Sequence, residues 1–341
     1  MLSIFAVSFF AVLKIVLVCL CGTILAKKGV IDRNFRKAIS KVILYMMLPC
    51  LLVSKISASV TMETLGRLAV LPLSAIVYVC AGMLMGFLVV FVSRPPRELR
   101  RIVVAATTFG NSGYIPYPLV AAIAGSAAIF ARDPSAPDRG IAYISIYLVC
   151  LSPCLWGIGY PYLSHRRLRD LKWHQILSPP MLSALTGIVL GIVPFLNRLL
   201  VQTNAPLRIV METCDLIGDG VIPCALLVLG ANLADPPRVR EAVPFRTLIG
   251  VWWGRLLLMP LLGCVYTLFL SRQGWLPNDP VCALVLLVES AVPPATNLVV
   301  MCQLHGRGEA AMSRVLVSTY LVAVPVLTVT VATQLWIVGT L

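Results

Sequence analysis

The sequence predicts an all-α polytopic membrane protein, and three observations support that prediction. Of the 341 residues, 59% are hydrophobic and 12% are charged, and the mean hydropathy is +0.92. Soluble domains carry about 25% charged residues. Apolar runs of membrane length recur along the whole chain, and two of them are interrupted by prolines. A membrane helix needs about 20 apolar residues, so the runs give about ten spans. They lie near 5–26, 38–56, 69–93, 102–130, 140–164, 177–200, 207–233, 246–270, 280–304 and 314–338.

The basic residues predict the orientation of these spans. In or beside the connections that follow odd-numbered spans there are 19 Lys and Arg residues, against 7 on the other side. Cytoplasmic loops are enriched in Lys and Arg. We therefore expect the first set to be cytoplasmic and both termini to be lumenal or extracellular. Orientation, together with some attraction to anionic lipid, accounts for the net charge of +14, and no nucleic-acid partner is predicted.

Two spans carry proline interruptions. The first is 107–122, TTFGNSGYIPYPLVAA, and the second is 288–300, VESAVPPATNLVV. The prolines are Pro116, Pro118, Pro293 and Pro294. A proline inside a helix removes a backbone hydrogen bond, and a broken helix persists in a membrane only where protein or a water-filled cavity covers it. Paired interruptions of this kind point to the binding site of a secondary transporter.

The interruptions are part of a wider internal similarity. Pro49-Cys50 and Pro223-Cys224 lie 174 residues apart, and Pro118 and Pro293 lie 175 apart. We therefore predict two repeats, 1–164 and 177–341, joined by a short cytoplasmic basic loop at 165–176. Five spans in each repeat, an odd number, would insert the second repeat upside down relative to the first. The broken spans four and nine would then cross near the bilayer centre. The N-termini of their second halves would carry partial positive charge, which suits a carboxylate.

Several motifs support a family resemblance. GNSGYIPYPLV resembles the broken fourth span of the auxin efflux carrier superfamily, IGDGVIPCALLVLGANLA its seventh, and AVPPATNLVVMCQLHGRGEAAMSRVLVSTYLVAVP its ninth and tenth. ILAKKGVID and YMMLPCLLVSKI match the end of the first span and the second. The similarity covers nearly the full length and is greatest to the PIN-LIKES branch. One departure is Tyr114, which stands where many members have a second asparagine.

The resemblance implies the bile-acid-symporter-like fold of the auxin carriers and a crossover elevator mechanism. In such a mechanism, one bundle carries the site past a scaffold of spans one, two, six and seven. The substrate implied is indole-3-acetic acid or a related amphipathic carboxylate. The membrane implied is the endoplasmic reticulum, with the plasma membrane as the alternative. A homodimer built through the scaffold is compatible with this fold.

The candidate substrate-binding residues flank the breaks. They are Asn111, Ser112, Tyr114 and Asn297. A carboxamide or hydroxyl can donate to a carboxylate, but it can equally satisfy the freed backbone, and Tyr114 can either stack on a substrate ring or pack in the protein. We expect Gly110 and Gly113 to let the backbones approach at the crossing, while the four prolines set its architecture.

Ionisable residues inside the spans form a second group of candidates. Glu289 lies one helical turn before Pro293 and could bind a proton or a cation, as a glutamate in the equivalent broken helix of the related bile-acid transporters does with sodium. The alternative is a structural role, protonated or paired with an arginine. Lys14 could attract the substrate, or pair with Asp215 or Asp219 in an ion network. Arg255 is expected to extend towards the membrane interface.

Other classes of function fit the sequence less well. Asp219 in LIGDG resembles the aspartate of intramembrane aspartyl proteases, but Leu216 stands where their motif needs glycine, and span six has no acid. We therefore predict no enzymatic activity. A passive channel, a membrane receptor and a proton- or cation-coupled carrier of another small carboxylate remain alternatives. Neither a cofactor nor a metal is predicted.

Overall fold

The computed structural model describes residues 2–164, 179–234 and 243–341. The predicted basic loop at 165–176 therefore lies outside the described residues. Within those ranges the regular elements are helices, and extended pairing is limited to one isolated bridge. This confirms the predicted all-α class.

The helices account for the predicted spans. Among the described residues, seven helices are long and apolar enough to cross a membrane, and one bent pair makes an eighth if it is counted as a single span. We label the seven α1 (Ile4–Lys27), α2 (Asn34–Ser59), α3 (Met62–Ser93), α5 (Ala136–Ser164), α7 (Arg208–Leu233), α8 (Phe245–Arg272) and α10 (Glu309–Val338). The bent pair is α6a (Pro179–Ile192) and α6b (Pro194–Val201), which meet at 89°. The remaining two spans are interrupted, as α4a (Arg100–Thr108) with α4b (Pro116–Ala124) and α9a (Pro280–Ala291) with α9b (Asn297–His305).

Prolines also shape the uninterrupted spans. A wider π turn occurs in α2, α5 and α8, and each ends two residues before a proline. The turns are Ile43–Met47, Leu155–Gly159 and Trp253–Leu258, followed by Pro49, Pro161 and Pro260. Proline has no N–H and clashes with the carbonyl four residues earlier, and a π turn moves the hydrogen bond one residue along. In α8 this loosened turn carries Arg255.

The spans pack in two groups. α1 packs along α7, and α2 packs against α6a and α7; on the other side α3, α4, α5, α8, α9 and α10 pack on one another. The first group is held closely by glycines: a Cβ on Gly22 would collide with the Leu227 backbone, and one on Gly230 with the Cys19 backbone. Small residues of this kind let membrane helices approach. We call the first group the scaffold and the second the bundle. They meet where α1 contacts α10 and α4b, and where α2 contacts α5.

The outer surface carries many large hydrophobic side chains. Phe91, Leu84 and Leu321 are among those that point outward and are mostly exposed. In water such a surface would be unfavourable, but in a bilayer these side chains contact lipid tails.

Candidate substrate-binding site at the crossing of α4 and α9

The two breaks meet as predicted from the prolines. The unwound segments lie antiparallel, and Gly110 and Pro294 form the isolated bridge. The Asn111 N–H donates to the Pro293 carbonyl at 2.8 Å, and the Ala295 N–H donates to the Phe109 carbonyl at 2.9 Å. The interrupted backbones therefore satisfy part of each other's hydrogen bonding, which lipid could not do.

The four prolines lie at two kinds of position. Pro116 and Pro118 fall in the first turn of α4b, where a helix has no use for their missing N–H groups. Pro293 and Pro294 lie in the extended segment between α9a and α9b. All four are buried.

Arg255 lies at the crossing, and the expectation that it extends to the interface is wrong. Its side chain is 2% exposed. The guanidinium donates to Val292 O at 2.7 Å, Thr108 O at 3.3 Å, Thr107 O at 3.4 Å and Glu289 O at 3.4 Å. These carbonyls belong to the C-terminal ends of α4a and α9a, where unpaired C=O groups give a partial negative charge. One cation therefore covers both ends.

Gly110 and Gly113 differ in their surroundings. A Cβ on Gly110 would collide with Arg255 Nη2 and lie 2.9 Å from Val292 Cγ2, whereas a Cβ on Gly113 would meet nothing within 4 Å. The close approach expected of both glycines is therefore required at Gly110 alone.

Asn111 is buried and bonded on both sides of its carboxamide. Its Nδ2 donates to the Tyr320 hydroxyl, and its Oδ1 accepts from the Tyr114 N–H at 3.2 Å. The Tyr320 hydroxyl in turn donates to Pro294 O at 3.1 Å. The side chain thus satisfies the broken backbone, with one amide hydrogen left for a ligand. Tyr320, on α10, was missed by the sequence analysis because no local motif marks it.

The other predicted ligands differ in their exposure. Asn297 is exposed at the first position of α9b, and Tyr114 is partly buried. Ser112 is buried. Neither α4b nor α9b has a side-chain cap at its N-terminus, so no capping side chain offsets the partial positive charge of either end. Pro116 and Pro118 have no N–H to offer in the first turn of α4b, so that end would attract an anion through its partial charge.

Glu289 is buried beside the crossing with an unpartnered carboxyl. The residue is 2% exposed, and neither carboxyl oxygen has a hydrogen-bond partner. Ser112 and Arg255 lie close enough to the carboxyl to act on it electrostatically. The predicted role in coupling is taken up below.

The predicted ion network is arranged differently. Asp215 pairs with Lys55 at 3.0 Å, not with Lys14, and Lys55 also contacts Asp138 at 3.2 Å. Lys55 therefore joins the scaffold helices α2 and α7 to α5 of the bundle. Lys14 and Asp219 are exposed on α1 and α7, and neither takes part in an ion pair found within the described ranges.

A second ion cluster fixes the far end of α9a. Arg139 contacts Asp133 at 2.6 Å and Asp279 at 3.1 Å, and Asp279 also accepts from the Val281 N–H at 3.0 Å. Hydrogen bonds from the Arg139 guanidinium lower the pKa of Asp133 from 3.8 to about 2. The cluster ties the start of α9a to α5.

Broken helices that cross inside a bundle of spans are typical of secondary transporters. A profile of the family described as membrane transport protein matches residues 7–169 and 163–331. The chain therefore belongs to that family, which is the auxin efflux carrier family.

Several relatives agree with this assignment. The chain is 27% identical over 383 residues to PIN-LIKES 1 of Arabidopsis thaliana, covering 99% of this chain and 81% of the relative. It is 25% identical over 388 residues to PIN-LIKES 3 of the same plant, covering 99% of both. An uncharacterized transporter of Schizosaccharomyces pombe is 23% identical over 411 residues, covering 92% and 91%. The predicted resemblance to the PIN-LIKES branch is confirmed.

Proposed function

We propose that the protein is a secondary transporter that moves an amphipathic organic anion of the indole-3-acetic acid class. The main support is the asymmetry of charge at the crossing. Arg255 covers the carbonyl ends of α4a and α9a, while the N-terminal ends of α4b and α9b carry no side-chain cap. Partial positive charge at two uncapped helix ends favours a carboxylate.

The substrate carboxylate is proposed to lie at these ends. Asn297 and the remaining Asn111 amide hydrogen would donate to it, with Ser112 nearby and the Tyr114 ring against the apolar part of the substrate. Stacking of two aromatic rings is favourable by about 0.5–1.5 kcal/mol, and the same ring can stack on related ring systems. Another small amphipathic carboxylate is the alternative substrate.

The proposed movement is a crossover elevator. Support comes from the packing of α3, α4, α5, α8, α9 and α10 on one another and of α1, α2, α6 and α7 on one another. Such a bundle would carry the crossing past the scaffold. The two repeats at 1–164 and 177–341 and a scaffold homodimer belong to the same proposal. So do a location in the endoplasmic reticulum or plasma membrane, lumenal or extracellular termini, and the absence of enzymatic activity.

The test is uptake of labelled indole-3-acetic acid into liposomes that contain the purified protein. We expect saturable uptake that is accelerated by unlabelled substrate on the far side. Asn297→Ala should lower kcat/KM about tenfold, because a hydrogen bond to a charged group contributes about 1.5–3 kcal/mol. Asn204→Ala, an exposed asparagine in the connection before α7, is the matched control and should leave uptake unchanged.

Each alternative gives a different result. Flux that neither saturates nor responds to substrate on the far side would indicate a channel. No uptake by folded wild-type protein would exclude indole-3-acetic acid, and uptake of other labelled amphipathic carboxylates would then be measured directly. Equal uptake by wild type and Asn297→Ala would mean that the anion binds elsewhere.

A further inference from the structure

We propose that Glu289 is a proton-binding site linked to the anion site, so that the protein moves one proton with each organic anion. This inference rests on the proposed transport function and names its coupling ion. Its basis is the arrangement of one fixed cation and one unpartnered acid at the crossing.

The surroundings of the carboxyl act on its ionised form in opposite directions: burial disfavours that form, and Ser112 and Arg255 favour it. Neither oxygen receives a hydrogen bond, and the residue is almost wholly buried on the last turn of α9a. Burial of a carboxylate costs free energy, and the positive charge of Arg255 offsets part of that cost. Its charge state is therefore sensitive to any other charge that enters the crossing.

Several ionisable side chains of the described residues face Glu289, and the positively charged one is Arg255. The others are Tyr78 of α3, Tyr117 of α4b and Tyr147 of α5, and free tyrosines stay neutral below about pH 10. The Tyr78 hydroxyl is bonded to Leu286 O at 3.1 Å and that of Tyr117 to Ser145 Oγ at 3.0 Å. Arg255 itself donates to the Glu289 backbone carbonyl and not to its carboxyl. The two side chains therefore attract each other across the crossing without forming an ion pair.

The coupling between proton and anion follows from the net charge of Arg255, Glu289 and the two ligands. With Glu289 ionised and no substrate, Arg255 and Glu289 sum to zero. An anion alone makes the sum −1, and a proton alone makes it +1. With both bound, the sum is again zero. A net charge in a low-dielectric interior is costly, so the empty and the doubly occupied states are favoured.

The linkage must act in both directions. A bound anion repels the ionised carboxyl and favours its protonation, and by thermodynamic reciprocity protonation favours anion binding by the same factor. Above the pH at which Glu289 ionises, the anion's apparent affinity should fall by up to about tenfold for each pH unit. Transport by the wild type should carry no net charge.

Glu289→Gln tests this directly, because the amide resembles the protonated acid in size and stays neutral. Uptake of indole-3-acetic acid is measured between about pH 6 and pH 9, where a free carboxylate is ionised throughout. We expect the wild type to be driven by a proton gradient and to be insensitive to membrane potential. Glu289→Gln should lose the pH dependence and become potential-dependent, since the anion then moves with its charge uncompensated. The matched control Glu212→Gln, on the exposed face of α7, should behave like wild type.

A second measurement needs no substrate. Infrared difference spectra recorded on acidification should show the C=O stretch of a newly protonated carboxyl in wild type and in Glu212→Gln, but not in Glu289→Gln. If Glu289→Gln is not recovered folded, Glu289→Asp serves instead and should show this stretch at a shifted frequency.

The two measurements separate failure of this inference from failure of the proposed function. Uptake by the wild type with the same pH dependence in Glu289→Gln, or a carboxyl band unaltered by both Glu289 variants, would overturn the proton site and leave the transporter intact. A Glu289-dependent band without uptake would support the proton site and reject the substrate class.

Discussion

The breaks of α4 and α9 pair with each other but use their polar side chains differently. At the α4 break Asn111 is 4% exposed and its carboxamide bonds Tyr320 and the Tyr114 backbone. At the α9 break Asn297 is exposed, and Glu289 is buried with no partner. The α4 break is therefore the more structural of the two, and the α9 break keeps its polar groups available. Two segments with matching proline interruptions need not share one role.

Loss of Arg255 should have the largest effect, because this side chain serves both breaks. Arg255→Met leaves buried carbonyls of α4a and α9a without donors, and removing one partner from a buried charged arrangement costs about 3–5 kcal/mol. We expect a large fall in the unfolding free energy of the detergent-solubilised protein. Arg272→Met, at the exposed end of α8, is the control and should change it little. An equal effect of the two substitutions would mean that Arg255 does not hold the crossing together.

The glycines at the α4 break offer a matched pair. In Gly110→Ala the new methyl collides with Arg255 Nη2, while in Gly113→Ala it meets nothing within 4 Å. Overpacking of this kind costs about 1–3 kcal/mol, and an unobstructed surface change costs under about 0.5 kcal/mol. Unfolding measurements on the two variants should differ accordingly. Equal stability would contradict the close approach of Arg255 to Gly110.

The two asparagines test the comparison most directly. Asn111→Ala leaves the Tyr114 N–H without its acceptor and removes the contact with Tyr320, which should cost about 1–3 kcal/mol of stability. Asn297→Ala removes no hydrogen bond found in the structure and should stay within about 0.5 kcal/mol. Thermal unfolding of both variants beside wild type measures the difference. If Asn297→Ala were the less stable variant, the α9 break would be the structural one and the α4 break would be the one with available polar groups.

Acid titration should give the smallest effect, at the far end of α9a. The pKa of Asp133 is lowered to about 2 from 3.8, so its ionised form is favoured by folding. Its contribution is fully present above about pH 4 and is lost as the pH falls through about 2. Wild type should exceed Asp133→Asn in melting temperature at about pH 5, and the gap should close on acidification. A gap that stays constant would show that the Asp133 charge does not anchor α9a.

The breaks could be predicted from the sequence because a single proline is enough to indicate an interrupted helix. Pro118 and Pro293 lie at matching places in the two halves and predicted where the broken spans cross. In the structure, Gly110 and Pro294 form a bridge at that crossing. The side chains that complete the crossing come from other spans. Tyr320 gave no local signal, since a tyrosine in an apolar run is usually packing.

Arg255 did give a signal, which was misinterpreted. A cation in the middle of an apolar span is a functional candidate by default, but its long side chain could equally have reached the interface. Only the π turn at Trp253–Leu258 and the position of the breaks decide between the two. The partner of Asp215 was likewise unpredictable, because Lys55 lies near the end of α2 and pairing depends on how α2, α5 and α7 pack.

The prolines at the crossing have a consequence for which residue can stand at position 255. Pro293 has no N–H to donate to the Glu289 carbonyl four residues earlier, and Pro294 has none for the Ser290 carbonyl, so the end of α9a lacks two backbone donors. A guanidinium offers five N–H donors in a fixed plane, and a lysine offers three around one point. Arg255 donates to the Glu289 carbonyl, which Pro293 leaves without a donor, and to three further carbonyls at the ends of α4a and α9a. Restoring an N–H at one of these positions should relax the requirement for arginine, so the two sites are constrained to change together.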